Sequence, residues 1–144
     1  MGQAQDSDVR ESFLELYREL FSHVSFLEVV IERLVHGQHV DRPMLENHLA
    51  QMIAGIALHE KKWTKPRLPK RVRKDHPEYF RNEMLRVSKV IKGQLSVLLK
   101  TSFLVDEREV EEDYLQTLSD VTDNIAGAFQ HVVRSNVLMP VMLN

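Results

Sequence analysis

From Val9 to Val35 apolar side chains recur every three or four positions, at Val9, Phe13, Leu16, Leu20, Val24, Leu27, Ile31 and Leu34, with Leu14, Tyr17, Phe21 and Val30 on an adjoining line. That spacing wraps one face of a helix and predicts a single amphipathic helix over the whole stretch. Asp8 and Glu11 stand at capping-box spacing and would open it. Gly37 would end it, because glycine enters the left-handed region at no steric cost. At 1.5 Å per residue such a helix is roughly 40 Å long, too long to be stable without partners along its length. Residues 1–7 are polar and acidic and are expected to fray.

A second helix is written at Asp41-Arg42-Pro43, where proline suits the first turn because its missing amide hydrogen has no acceptor there. Leu45, Leu49, Met52, Ile53 and Ile56 mark its apolar face as far as about Lys61, and Ala50, Ala54, Gly55 and Ala57 would let a neighbour approach closely. Residues 63–76 carry Pro66 and Pro69 and have no sustained period, which predicts a long extended connection. Asp75-His76-Pro77-Glu78 restarts a third helix, with Phe80, Met84, Val87, Ile91, Leu95 and Leu98 as its buried stripe, ending near Lys100. After a short apolar link from Thr101 to Val105, the acids Asp106, Glu107, Glu109, Glu111, Glu112 and Asp113 are expected to crowd the opening turns of a fourth helix, where the helix dipole favours them. Val110, Tyr114, Leu118, Val121, Ile125, Phe129 and Val132 carry that helix to about Arg134, and an apolar tail follows over 137–144.

Two short connections make the first and second helices, and the third and fourth, antiparallel neighbours. The expected fold is therefore all-α, an antiparallel four-helix bundle with a long basic loop between helices 2 and 3 and an apolar C-terminal tail. A chain of 144 residues with 43% apolar content fits one such domain over 1–144.

Composition narrows the chemistry. The absence of cysteine excludes disulfide scaffolds, thiolate zinc sites and thiol catalysis. No apolar run approaches the ~20 residues that span a bilayer, and Met1 to Asp8 has no apolar stretch of the signal-peptide kind. No membrane role and a cytoplasmic location are expected. Glu-x-x-His, the repeated element of a bundle di-iron site, does not occur, and no glycine-rich phosphate loop is present. No cofactor is expected. His36, His39 and His48, with Asp41 and Glu46, surround the first turn and have zinc-ligand chemistry, and they would gain charge below about pH 6.5; solvated side chains are the simpler reading, so no metal is expected either.

Charge changes the picture most. The formal net charge is −2, yet Lys61, Lys62, Lys65, Arg67, Lys70, Arg71, Arg73 and Lys74 put eight bases in fourteen residues with no acid among them. The other 11 bases face 21 acids, so the remainder carries about −10. Those eight residues with Trp63 form the candidate partner-binding set, since guanidinium and ammonium groups neutralise phosphates or carboxylates and an indole stacks on a base. Against this stands a bland reading, in which the segment lies on the chain's own acids from Asp106 to Asp113 and Trp63 covers the bundle's mouth. Lys70-Arg71-Val72-Arg73-Lys74 would also serve as a nuclear-import signal in a eukaryote.

Arg71 and His76 also resemble the Arg-x(4–6)-His motif of the HEPN family, helical-bundle ribonucleases in which Arg and His act together on RNA at a dimer interface. The same spacing occurs from Arg42 to His48, Arg18 to His23 and Arg33 to His39, while the polar residue the family places after its Arg is replaced by Val72, Pro43, Glu19 and Leu34. The expectation that follows from all of this is a small non-enzymatic adaptor or regulator, a homodimer, that binds a protein through residues 61–74. A nucleic-acid binder using the same segment, and a HEPN-like ribonuclease working through Arg71 and His76, are the alternatives.

Overall fold

The computed structural model describes the backbone of residues 2–63 and 78–142 and the side-chain surroundings of residues 9–63 and 78–135. Among the described residues every regular element is helical: α1 (Gly2–Ser22), α2 (Val24–Val35), α3 (Arg42–Trp63), α4 (Glu78–Lys100), a 3-10 turn (Ser102–Asp106) and α5 (Glu112–Met142). α1 and α2 follow one another as one leg of the structure, and α3, α4 and α5 supply three more that pack against it and each other. One continuous core runs through them, from Phe13, Trp63 and Phe80 through Tyr17, Met52, Ile56 and Ile91 to Leu27, Leu45, Leu49, Leu95 and Leu118.

The expected single first helix is divided at His23. Its backbone stays right-handed (φ −87°, ψ −12°), but its amide bonds the carbonyl of Leu20 at 3.0 Å, because the Ser22 hydroxyl has taken the Glu19 carbonyl that a regular turn would offer it. Helical backbone also begins at Gly2, so Asp8 and Glu11 lie inside α1 and do not open it. The far end is as expected. Gly37 takes φ +67°, its amide bonds the Leu34 carbonyl at 3.2 Å, and the Gln38 amide reaches Arg33 at 2.8 Å, the paired bonds of a Schellman cap.

α3 starts where Asp41 and Pro43 place it, with Asp41 Oδ1 accepting the Met44 amide at 3.1 Å. Its small residues behave differently from the expectation. Ala50 and Ala54 are exposed, Ala57 is half-buried, and at Gly55 a β-carbon would lie 3.8 Å from Leu16 and Glu19 of α1. In α4 the buried line passes through Ser88, fully enclosed, with Val87 only half-buried beside it. Ser88 is tolerable there because its hydroxyl hydrogen-bonds Tyr17 Oη of α1 at 2.8 Å, which satisfies two polar atoms inside the core. Burial holds the Tyr17 hydroxyl well above the usual tyrosine range, so it stays protonated.

α5 differs from the sequence reading at both ends. It begins at Glu112, so Asp106, Glu107, Glu109 and Glu111 belong to the connection before it, and it continues past Arg134 to Met142 through much of the expected tail. The tail's side chains lie outside the described residues, as do residues 64–77; of the loop expected over 63–76 only Trp63 is described, and it is the last residue of α3.

A Gly37→Ala substitution isolates the cap, since no atom lies within 4 Å of the β-carbon it would add. It should destabilise the fold by about 1 kcal/mol through the left-handed backbone alone, read as a lower urea midpoint at unchanged slope.

Candidate partner-binding end

α3 ends in His59-Glu60-Lys61-Lys62-Trp63, and helical spacing divides these five residues between two environments. His59 and Trp63, one turn apart, face the core and are buried, whereas Lys61 and Lys62 are exposed. The indole lies on the Phe13 ring with centroids 3.6 Å apart, and Phe13 in turn meets Phe80 edge-on at 5.9 Å. Trp63 Nε1 donates to Ser12 Oγ at 2.9 Å, and the same hydroxyl meets His59 Nδ1 at 3.3 Å. Trp63 is thus a core residue at 2% exposure, and its expected place among the partner-binding side chains is corrected: neither ring face is free to stack on a base.

The Ser12–His59 contact was not foreseen, because no local pattern relates a serine in the first helix to a histidine near the end of α3. Its spacing resembles that of a nucleophile and its base, and Glu15 and Glu19 act on the imidazole as well. Yet Trp63 donates to the hydroxyl and covers the contact, which makes it a polar seal rather than an open reaction centre. Desolvation, and then the nearby Lys62 ammonium, lower the His59 pKa and keep the ring neutral.

Arg10, Lys61 and Lys62 stand around this end. Arg10 lays its guanidinium over Phe80, 4.8 Å from the ring centroid, with its buried Nε lacking a hydrogen-bond partner among the described residues. Acids are mixed with these bases: Glu15 and Glu19 act on His59, while Glu60 pairs with Lys92 at 3.0 Å, Glu78 with Arg81 at 3.7 Å and Glu83 with Arg86 at 3.0 Å. The acidic run lies at the other end of α3. Asp106 pairs with Arg42 at 3.2 Å, on the first residue of that helix, and Asp106, Glu107, Glu109, Glu111, Glu112 and Asp113 are all exposed. Nineteen residues of helix separate Arg42 from Lys61, about 28 Å.

Of the candidate set, Lys65, Arg67, Lys70, Arg71, Arg73 and Lys74 lie outside the described residues, together with His76 and hence the Arg71–His76 pair. The other Arg–His spacings are accounted for otherwise. Arg42 bonds Glu46 and Asp106, Arg33 reaches the backbone carbonyl of His39, and His23 and His48 face each other. Of the histidines weighed as zinc ligands, His36 and His39 are exposed while His48 turns to His23, and no group of three or more metal-ligating side chains occurs among the described residues. A groove of about 280 Å³ between α4 and α5 is lined by Glu83, Met84, Val87, Asp123, Asn124 and His131. No helix among the described residues is long and apolar enough to cross a membrane. No known protein family matches the sequence, and neither curated proteins nor solved structures include a significant match.

Trp63 is the chain's one tryptophan, so its fluorescence reports this end directly. Trp63→Phe keeps a ring against Phe13 but loses the Ser12 hydrogen bond and the space filled by the second ring, at a cost of about 2 kcal/mol. Trp63→Ala opens a cavity and should cost roughly 3–5 kcal/mol. Urea unfolding followed by circular dichroism separates the two, and wild-type emission should shift to the red only on unfolding.

Proposed function

We propose that this chain is an antiparallel four-helix bundle that acts by binding, as an adaptor or regulator whose basic segment 61–74 meets an acidic surface on a partner protein. Contact registers support the antiparallel reading. Ser12 meets His59 and His23 meets His48, equal steps of opposite sense along α1 and α3. Glu60 of α3 meets Lys92 of α4, and α3 begins at the Asp106 end of the molecule, beyond the last turn of α4.

One observation carries the functional reading: the start of the basic segment and the acidic run stand at opposite ends of α3. Glu60, the carboxylate nearest Lys61 in sequence, is turned to Lys92, and Lys61 and Lys62 remain exposed. Neutralisation of these two lysines by the acids of 106–113 is therefore disfavoured, and charge separated along the long axis gives the molecule a field that orients an approaching partner before contact. Trp63 supplies a rigid base, since a segment leaving a locked residue loses less freedom on binding than one leaving a frayed helix end.

Charge reversal at Lys61, Lys62, Arg67, Lys70, Arg71 and Arg73 should abolish capture of partner from native-host extract, with helicity and melting unchanged. The same capture repeated after nuclease treatment sorts the classes. Retention of partner supports a protein, loss supports nucleic acid, and unchanged capture by the charge-reversed chain removes the segment from consideration. For a nucleic-acid partner, affinity for an RNA or DNA oligonucleotide would fall steeply with added salt.

A further inference from the structure

We propose that the His23–His48 contact is an acid-released latch, which holds the junction of α1 and α2 against α3 while one imidazole is uncharged and lets it go when both are protonated. The two Nδ1 atoms lie 2.8 Å apart. A hydrogen bond at that distance needs one nitrogen bearing hydrogen and the other bare, an arrangement closed to a pair of imidazolium rings. Double protonation therefore removes the bond and sets two positive charges face to face.

Position makes this contact consequential. His23 is the residue at which regular α-helical bonding between α1 and α2 lapses, with its amide on Leu20 and the Ser22 hydroxyl on Glu19. His48 is fixed from the other side, its ring stacked on Phe26 of α2 at 3.9 Å and 10°, while the His23 ring meets it edge-on at 86°. A junction with a weakened hydrogen-bond ladder is thereby tied to α3 by a titratable pair, and the pair is half-buried at the seam between them.

The charged groups acting on His23 are His48 from α3 and Glu19 from α1 itself. Desolvation and the His48 charge lower its pKa from 6.5, outweighing Glu19, which raises it. A histidine whose pKa is lower folded than unfolded binds fewer protons in the native state, so its contribution to stability is present above pH 6.5 and is lost as pH falls through the folded value. His59, lower on the same seam and opposite Glu15 and Glu19 of α1 and Lys62 of α3, shifts in the same direction.

The test uses the full chain with His23→Gln, His48→Gln and the double variant, glutamine being able to hydrogen-bond without taking up a proton in this range. A double-mutant cycle of urea stability near pH 7.5 and near pH 5.0 should give a favourable His23–His48 coupling at the higher pH and an unfavourable one at the lower. Amide exchange at 22–24, compared at matched intrinsic rates, should rise several-fold at the lower pH in wild type and stay level in the double variant. A coupling independent of pH would overturn the latch. In wild type the His23 ring, followed by NMR, should titrate below an ordinary histidine and move upward in His48→Gln, a readout that survives even where one variant folds poorly. A His23 titration unmoved by loss of His48 would overturn the proposal as well.

Discussion

Closure of one end of the core by Phe13, Trp63 and Phe80 is the constraint from which the other features of this molecule follow. A helical bundle has apolar ends as well as apolar seams, and the end where α3 stops and α4 starts would be open to water without a large side chain there. Trp63 fills it with a face on Phe13 and an N–H on Ser12, so that α1, α3 and α4 are fixed against one another at a single point. Helical periodicity then determines what is left outside. With Trp63 and His59 committed to the interior, Lys61 and Lys62 face solvent.

The two ends of α3 differ in how their bases are answered. α3 carries Arg42 at its first turn and Lys61 and Lys62 in its last, but the first is answered by Glu46 and Asp106 and the last two are not answered by Glu60. The exposed acids of the connection into α5 sit beside the answered end. Among the described residues, the exposed acids of 106–113 and the exposed Lys61 and Lys62 stand at opposite ends of α3.

The elements legible in the sequence were those whose boundaries are local chemistry. Asp41 and Pro43 open α3, and Gly37 closes α2 through backbone bonds that need only a left-handed residue at that place. Where a boundary depends on a contact made elsewhere, the pattern was silent. His23 divides the first helix because Ser22 competes for a backbone carbonyl and His48 waits across the seam, and neither signal is periodic. Ser88 enters the buried line because Tyr17 reaches it from α1, 71 residues away. The acids before α5 looked like a helix start since the dipole favours them, yet the helix opens only at Glu112, when the periodic stripe of Tyr114 and Leu118 takes over. For the candidate site the composition showed where positive charge gathers but not that Trp63 is withdrawn from it, because a lone indole beside lysines reads equally as platform or as plug.

The seams of the bundle are not alike, and the difference bears on how it moves. α5 meets α1 through Phe21 on Phe129 and the buried stripe of Leu118, Ile125 and Val132, contacts indifferent to pH. Between α1 and α3, by contrast, Ser12 meets His59, Glu19 approaches Gly55 and His23 meets His48, so polar and titratable groups recur along the whole joint. Apolar contacts lose strength gradually as surfaces separate, whereas a hydrogen bond between two imidazoles is present or absent according to a proton. The latch proposed at His23 and His48 would make this joint a line along which acid opens the bundle. Trp63, bonded to Ser12 at one end of that line, ties the basic segment to the same joint whose other end is held by His23 and His48.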